Sequence, residues 1–581
     1  MFYDHWLLSG TSLPEPDRYP DQPSAMASHS RKLGTHGGAN DSGLTKKIWK
    51  KIFCGLWLDK CQTVQASPMP THKPNFLTIN GHRSFLLGSS LTLLTRPVTA
   101  LAAVGLVILS WQAQAQPDNN TIEFENCVLS MPGSPATARA DCGFIEVPEN
   151  PDDPDGKKIP IHVAIAPSTA TQPEPDPVFF FAGGPGQAAS ETWVMIRGTL
   201  DKIRDKRDIV MIDQRGTGQS NKLTCPIDED MDLNATLDLE YVAEQTTICR
   251  DQLDADPRFY TTDIAMTDYN RVREAMGYER INLMGVSYGT RAAQVYLRKY
   301  PDTVRTVVLD SVVPMQLALG QEHSIMLDAA LETVFSDCYD DQECNVQFGD
   351  SLNQLNALAA ELREEARWVT IPDPITGEDR EIRMSADTLA VAIRFLSYAS
   401  ETQAMLPILI DEAIAVGSLD RLAAQALMVM NSLTDQFARG MELSVMCSED
   451  YPFIDTEADH SDTLLGNIFL EAITTQCELW PRGEVADDFH SPVASDLPVL
   501  LLSGERDPVT PPHYAEQAAA SYSNHLNLVA RGQSHSVMKH PCLKKVTTNF
   551  IDAGSTEEVD ITCVEKIEAS PFFTSLLGPN P

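Results

Sequence analysis

The sequence predicts an α/β protein: a mostly parallel sheet covered by helices on both faces and interrupted by a large helical insertion. Three observations predict it. Short runs, the continuously apolar Pro177 to Phe181 and the largely apolar Asp208 to Ile212 and Val304 to Leu309, have the length and texture of buried strands. Amphipathic helical stretches alternate with them, from Thr262 to Met276 and from Thr290 to Tyr300. Strand patterning then stops from about residue 316 to 490 and resumes at Leu497, so the middle third is expected to form a helical cap over a core built from both ends. The expected division is 1–115 for an N-terminal extension and signal peptide and 116–315 for the first part of the core. Residues 316–490 form the cap, and 491–581 complete the core.

Residues 1 to 83 mix Pro, His, Lys and Gly with no sustained period. Val98 to Leu109 is an apolar run preceded by Arg83 and Arg96 and followed by Ala113-Gln114-Ala115, the pattern of a secretory signal cut after Ala115. It is too short for a membrane span of about 20 residues. Met69 is a more ordinary start for such a signal, which makes residues 1 to 68 an upstream extension in this reading. The formal net charge of −37 argues against nucleic acid or an anionic membrane as partner, since both demand clustered Lys and Arg. The first 115 residues carry 11 Lys/Arg against 6 Asp/Glu, so the acidity belongs to the remainder.

Of twelve cysteines, Cys54 and Cys61 precede the expected cut and ten follow it. An even number in an exported chain suggests disulfides. Pairing by proximity joins Cys127 with Cys142, Cys225 with Cys249, Cys338 with Cys344, Cys447 with Cys477, and Cys542 with Cys563. No C-x-x-C pair and no H-E-x-x-H occurs, so no metal site and no cofactor is expected.

In chain order, Lys158 to Ala166 alternates like an early antiparallel strand. Pro177 to Phe181 runs into Gly183-Gly184-Pro185-Gly186, and Asp208 to Ile212 into Asp213-Gln214-Arg215-Gly216-Thr217-Gly218. The next helix starts at Thr261 or Thr262 and stops at Gly277. Helical periodicity covers Met326 to Phe335, Leu352 to Ala366, Ala386 to Tyr398 and Ile408 to Leu433, with a hairpin-like break around Pro372 to Glu381. Strands return at Leu497 to Leu502 and Leu526 to Val529.

Gly285-Val286-Ser287-Tyr288-Gly289 lies between a strand and a helix, the context of a nucleophile elbow. A serine nucleophile needs a histidine within hydrogen-bond reach and an acid that fixes the imidazole tautomer. In an α/β-hydrolase fold these follow the serine in the order acid, then histidine, on loops after late strands. Asp507 and His535 occupy those places, with Glu505 as a rival acid and His513, His525 and His540 as rival bases. The oxyanion requires backbone donors, expected from Tyr288 and from Gly184 in the glycine-rich loop. The same loop has no Lys-Ser/Thr after it and is not a phosphate-binding loop.

Together the Gly183 to Gly186 loop, the Asp213 to Ser220 run and Gly285 to Thr290 resemble the prolyl aminopeptidase and tripeptidyl aminopeptidase family of α/β-hydrolase serine peptidases. The resemblance covers most of residues 120 to 581. Cys447 beside Ser448-Glu449-Asp450 and the segment from Asp507 to His535 resemble the secreted tripeptidyl-aminopeptidase branch more than the cytosolic proline iminopeptidases. Many prolyl aminopeptidases carry His before the paired glycines; here it is Ala182, which weakens a transfer of strict proline specificity. The resemblance implies an exported, periplasmic or extracellular exopeptidase acting on peptides with a free N-terminus. It also implies an acidic anchor in the cap for the substrate ammonium, matched here to Glu449 with Asp450 as neighbour. A carboxylic ester hydrolase on the same fold is the alternative, and a non-catalytic hydrolase-like binding protein a further one.

Overall fold

The computed structural model describes residues 121–226, 238–373 and 376–579. The expected signal and its cleavage point lie outside the described residues. Strands β1 (Glu125–Ser130), β2 (Thr137–Pro148), β3 (Lys158–Ala166), β4 (Val178–Phe181), β5 (Ile209–Ile212), β6 (Ile281–Val286) and β7 (Val304–Asp310) come from the first half of the described chain. A hairpin, β8 (Arg367–Pro372) and β9 (Asp379–Met384), stands apart, and β10 (Val499–Gly504) and β11 (His525–Ala530) return to the main sheet. That sheet has the order β1-β2-β3-β5-β4-β6-β7-β10-β11. From β5 to β11 every neighbouring pair is parallel, while β1, β2 and β3 join by antiparallel pairing.

The apolar runs become central strands because both of their faces are covered. Along β4, Phe179 and Phe181 face one hydrophobic core, with Leu283, Val307 and Leu501. Val178 and Phe180 face the other, with Met284, Val308, Leu500 and Trp193. This is the two-residue alternation of a strand filled on both sides. The hairpin β1–β2 was not anticipated, for the converse reason. It alternates buried and exposed residues and holds charged side chains in mid-strand, so it shows no continuous apolar run.

Between β7 and β10 the chain is mainly helical and packs a separate core, with Leu355, Leu358, Leu389, Ile393, Ile410 and Leu422 among its members. One expected element needs correction. The apolar periodicity from Ile408 to Leu433 is two helices, Leu406–Ala415 and Asp420–Gln436, because Gly417 takes a φ of +74° and turns the chain between them. Five disulfides join the same cysteine pairs as proximity does, with Cα–Cα separations between 4.7 and 5.8 Å. Among the described residues no helix is long and apolar enough to cross a membrane.

Candidate active site

Ser287 stands between the end of β6 and the helix Tyr288–Lys299, with φ 57° and ψ −128°. A non-glycine residue held at positive φ is strained, and the surroundings must enforce it. They do so by proximity that only glycine allows. A Cβ on Gly285 would lie 2.3 Å from the Gly289 carbonyl oxygen, and one on Gly289 would lie 2.2 Å from that of Phe181. The loop after β4 lies against the elbow less tightly: a Cβ on Gly183 would lie 3.3 Å from the Ser287 Cβ, and Gly184 has φ +111°. Tyr288 is the first residue of its helix, so its N–H has no intrahelical acceptor.

Asp507 lies on the turn after β10 and His535 on the loop after β11. His535 Nδ1 is 2.8 Å from Asp507 Oδ2. The amides of Val509 and Thr510 donate to Asp507 Oδ1, and the Thr510 hydroxyl donates to Oδ2. Burial alone would raise this carboxyl, but the His535 ring and the two amides more than offset it and hold it below its ordinary value. The rivals are engaged elsewhere. Glu505 accepts from the Gly532 amide, His525 bonds the Tyr522 carbonyl, and His540 accepts from the Cys542 amide at the start of its helix. The His513 ring packs edge-on against Tyr514.

The serine and the histidine loop meet at the end of β7. The Asp310 carbonyl accepts the Ser287 amide at 2.9 Å. The Asp310 carboxylate accepts the amides of Val537 and Met538, and the Ser311 hydroxyl accepts that of Ser536. One strand end thus fixes both the elbow and the residues that follow His535. Asp310 is fully buried and its carboxyl is pushed up to about 6, chiefly by burial. Its oxygens face amides rather than the imidazole, so it serves as a clamp for the loop. Among the described residues the His535 ring bonds Asp507 and lies 3.2 Å from the Thr510 hydroxyl, and no hydrogen bond joins it to Ser287 Oγ; in serine hydrolases such a bond often tightens only in the Michaelis complex.

Glu449 and Asp450 lie just after the helix Arg439–Val445, tethered by the Cys447–Cys477 disulfide. Both are fully buried. Asp450 pairs with the equally buried Arg291 at 2.6 Å and accepts the Leu319 amide. Glu449 accepts the Thr262 amide at 2.5 Å and the Thr262 hydroxyl at 2.7 Å. That hydroxyl is in turn 2.5 Å from the Tyr288 phenol, to which Gln214 donates at 3.0 Å. With Glu449 ionised the protons run one way, from Gln214 through Tyr288 and Thr262 to the carboxylate. Glu449 is therefore part of the wall behind Tyr288, the residue after Ser287, and Asp450 is its neighbour there. Burial, with Asp450 adjacent, pushes the Glu449 carboxyl up to about 8.

The Asp213 run is structural. Asp213 accepts from the Ser190 amide and hydroxyl and the Gln219 amide and bonds His162 Nδ1 at 2.8 Å. Arg215 makes a two-pronged pair with Asp268 and also donates to the carbonyls of Glu149 and Phe259. Sequence reasoning missed Asp310, Thr262, Thr510 and Tyr398, whose ring packs edge-on against His535 at 5.2 Å. Thr510 had a signal, since Asp-Pro-x-Thr is a turn in which the Asp accepts from amides two and three residues on. The others had none, because their partners are remote in sequence.

Two family models match the chain, one described as the alpha/beta hydrolase fold over residues 176–390 and one as a TAP-like protein over residues 462–563. The serine protease Hip1 of Mycobacterium tuberculosis is 23% identical over 80% of this chain and 96% of its own length. The tripeptidyl aminopeptidase of Streptomyces lividans is 21% identical over 74% of this chain and 84% of its own. The proline iminopeptidase of Neisseria gonorrhoeae is 29% identical over a shorter region, 24% of this chain and 34% of its own.

Proposed function

Since this chain belongs to the α/β-hydrolase peptidase family, we propose that it is an exported serine exopeptidase that removes one or a few residues from peptide N-termini through an acyl-enzyme. The observation that carries the reading is the Asp507–His535 hydrogen bond of 2.8 Å, reached from the Ser287 elbow through Asp310 and Ser311. In this mechanism His535 Nε2 takes the Ser287 proton as Oγ attacks the scissile carbonyl, and returns it to the leaving amine. Asp507 keeps Nδ1 protonated and stabilises the imidazolium. The Tyr288 and Gly184 amides face the developing oxyanion. Water then releases the acyl group by the same base.

Glu449, with Asp450 beside it, is assigned to the substrate ammonium. What supports this is a carboxylate one hydroxyl away from the Tyr288 phenol. Asp450 holds Arg291 and the Leu319 amide through Oδ1 and has Oδ2 unpartnered among the described residues, while each Glu449 oxygen takes one donor from Thr262 and keeps a lone pair, so an ammonium can be met by Glu449 with Asp450 beside it. Export is supported by the five disulfides, which persist in oxidising compartments. The test is side-by-side hydrolysis of peptides with free and acetylated N-termini and of short acyl esters, after a fluorophosphonate has confirmed a single labelled serine. Equal rates on free and blocked peptides would remove the exopeptidase reading. Ester turnover with no peptide turnover would replace it with the esterase alternative.

A further inference from the structure

The acid and the base sit on separate loops, and separate loops need something to hold them in register. Part of that register is direct: a Cβ on Gly504 would lie 2.0 Å from the Ser534 carbonyl oxygen, the Arg506 amide donates to the Gln533 carbonyl at 2.9 Å, and the Gly532 amide donates to the Glu505 carboxylate at 2.7 Å. The helical insertion adds a second set of ties. The helix Ala386–Leu396 ends at Ser397, and the chain turns through Tyr398 and Ala399 into a short helix, Ser400–Gln403. The Ser400 hydroxyl accepts the Ser534 amide at 3.0 Å and donates to the Gln533 side chain at 3.3 Å. The Ser397 carbonyl accepts the Ser534 hydroxyl at 2.5 Å. Gln403, fully buried, uses its two amide protons on two carbonyls, Ser397 and Arg506, both at 2.8 Å. Arg506 immediately precedes the acid, and Ser534 immediately precedes the base. Between them Tyr398 lays its ring against His535.

Gln403 divides its two amide protons between its own turn, at Ser397, and the backbone of the acid turn, at Arg506, while its Oε1 has no partner among the described residues. Gln403 thus bridges from the insertion to the acid turn, and Ser400 bridges to the base loop. We propose that Gln403 and Ser400 are positioning residues: the 397–403 turn of the insertion reinforces the direct bonds between the two loops and so fixes the placement of Asp507 and His535 relative to each other. The inference rests on the triad reading given above. It implies that this part of the insertion stays fixed to the two loops during turnover, and that any opening for substrate occurs elsewhere.

The test uses the full-length exported protein and the variants Gln403→Met and Ser400→Ala. Methionine keeps the volume of glutamine without its amide protons, so a purely space-filling residue would tolerate it. The measurements are kcat and KM on a peptide substrate, the rate of fluorophosphonate labelling at Ser287, and the thermal midpoint. A misplaced base costs turnover rather than binding, so kcat and the labelling rate should both fall about ten- to a hundredfold while KM stays within about threefold. Ser400→Ala, the smaller change, should show the same pattern to a lesser degree in a folded protein. Wild-type kcat and labelling in both variants would overturn the proposal and leave the triad intact. A change in KM alone would also overturn it, because the turn would then be acting on substrate. If the wild-type protein does not label at Ser287, the triad reading fails first and this inference falls with it.

Discussion

Asp507 and Glu449 are equally sealed from solvent, at 2% and 0% exposure, yet the two regions around them treat a negative charge in opposite ways. At the acid turn, two amides, a hydroxyl and an imidazole converge on one carboxylate. Burial is outweighed, and the group stays ionised. In the wall behind Tyr288, a single threonine supplies both donors to Glu449, a second carboxylate is next in sequence, and the nearby Arg291 is spent on Asp450. There burial prevails and the group holds a proton to about 8. Between two carboxylates at equal depth, the number and charge of the partners decide which one works as an anion. A base-orienting acid must be permanently charged, and a residue that meets a substrate cation gains from being charged only when the cation arrives.

The largest expected effect isolates the first region from the second. Ser287→Ala removes the hydroxyl proposed as nucleophile and touches neither carboxylate. Hydrolysis should fall about 10⁴-fold or more, to what the oxyanion donors and binding alone provide. Thermal stability and its pH dependence should be those of the wild type. A variant retaining a tenth of wild-type kcat would take Ser287 out of the mechanism. Asp507→Asn attacks the comparison from inside. It keeps the shape but turns a group that accepts from Val509, Thr510 and His535 into one that must also donate, so the imidazole takes the wrong tautomer. The expected loss in kcat is about 10³- to 10⁴-fold, with little change in KM, measured under single-turnover conditions.

The two regions also differ in how far the sequence exposes them. The elbow, the acid turn and the histidine loop are legible because each is a local pattern at the end of a strand: G-x-S-x-G after β6, Asp-Pro after β10, Gly-x-Ser-His after β11. Central strands are legible for a related reason, as burial on both faces leaves runs that are wholly apolar in β4 and β5 and mostly apolar in β6 and β7. The surroundings of Glu449 are not legible. Its partner Thr262 is 187 residues away and the Arg291 that holds Asp450 is 159 residues away. An adjacent Glu-Asp pair in a chain with 81 acidic residues gives no sign of being sealed. Gln403 and Asp310 are hidden in the same way, since an amide in a helical stretch and an Asp closing a strand are ordinary until their partners 103 and 227 residues on are known. Local chemistry shows in a sequence; contact across the chain does not.

A smaller effect tests what Glu449 does for substrate. Glu449→Gln removes the charge that an ammonium would meet and keeps an acceptor for one of the two Thr262 donors. If Glu449 anchors the N-terminus, KM for peptides with a free amine should rise about ten- to a hundredfold, the loss of one charge-assisted contact. Short acyl esters, with no ammonium to bind, should be turned over nearly as before. An equal effect on both substrates, or none on either, would make Glu449 a structural residue of the wall and move amine recognition to another part of the cap.

The smallest effect is read without substrate. The folded protein holds the Glu449 proton to about 8, against an ordinary value of 4.5. As pH rises from about 4.5, the unfolded chain gives up this proton while the folded one keeps it, so the stability associated with Glu449 is full at low pH and is lost as pH climbs through about 8. A glutamine in its place has no proton to exchange. The wild-type unfolding free energy minus that of Glu449→Gln should therefore decline across that interval, by an amount on the order of a few kcal/mol, and level off above it. Asp310, also pushed up, to about 6, adds a slope of the same sign to both chains and cancels in the difference. Urea unfolding at pH 5, 6, 7 and 8.5 gives the curve. A flat difference would mean that Glu449 ionises as freely as it does in water, and a rising one that it is stabilised as an anion like Asp507. Either result would erase the contrast between the two regions and leave Glu449 ionised before any substrate arrives.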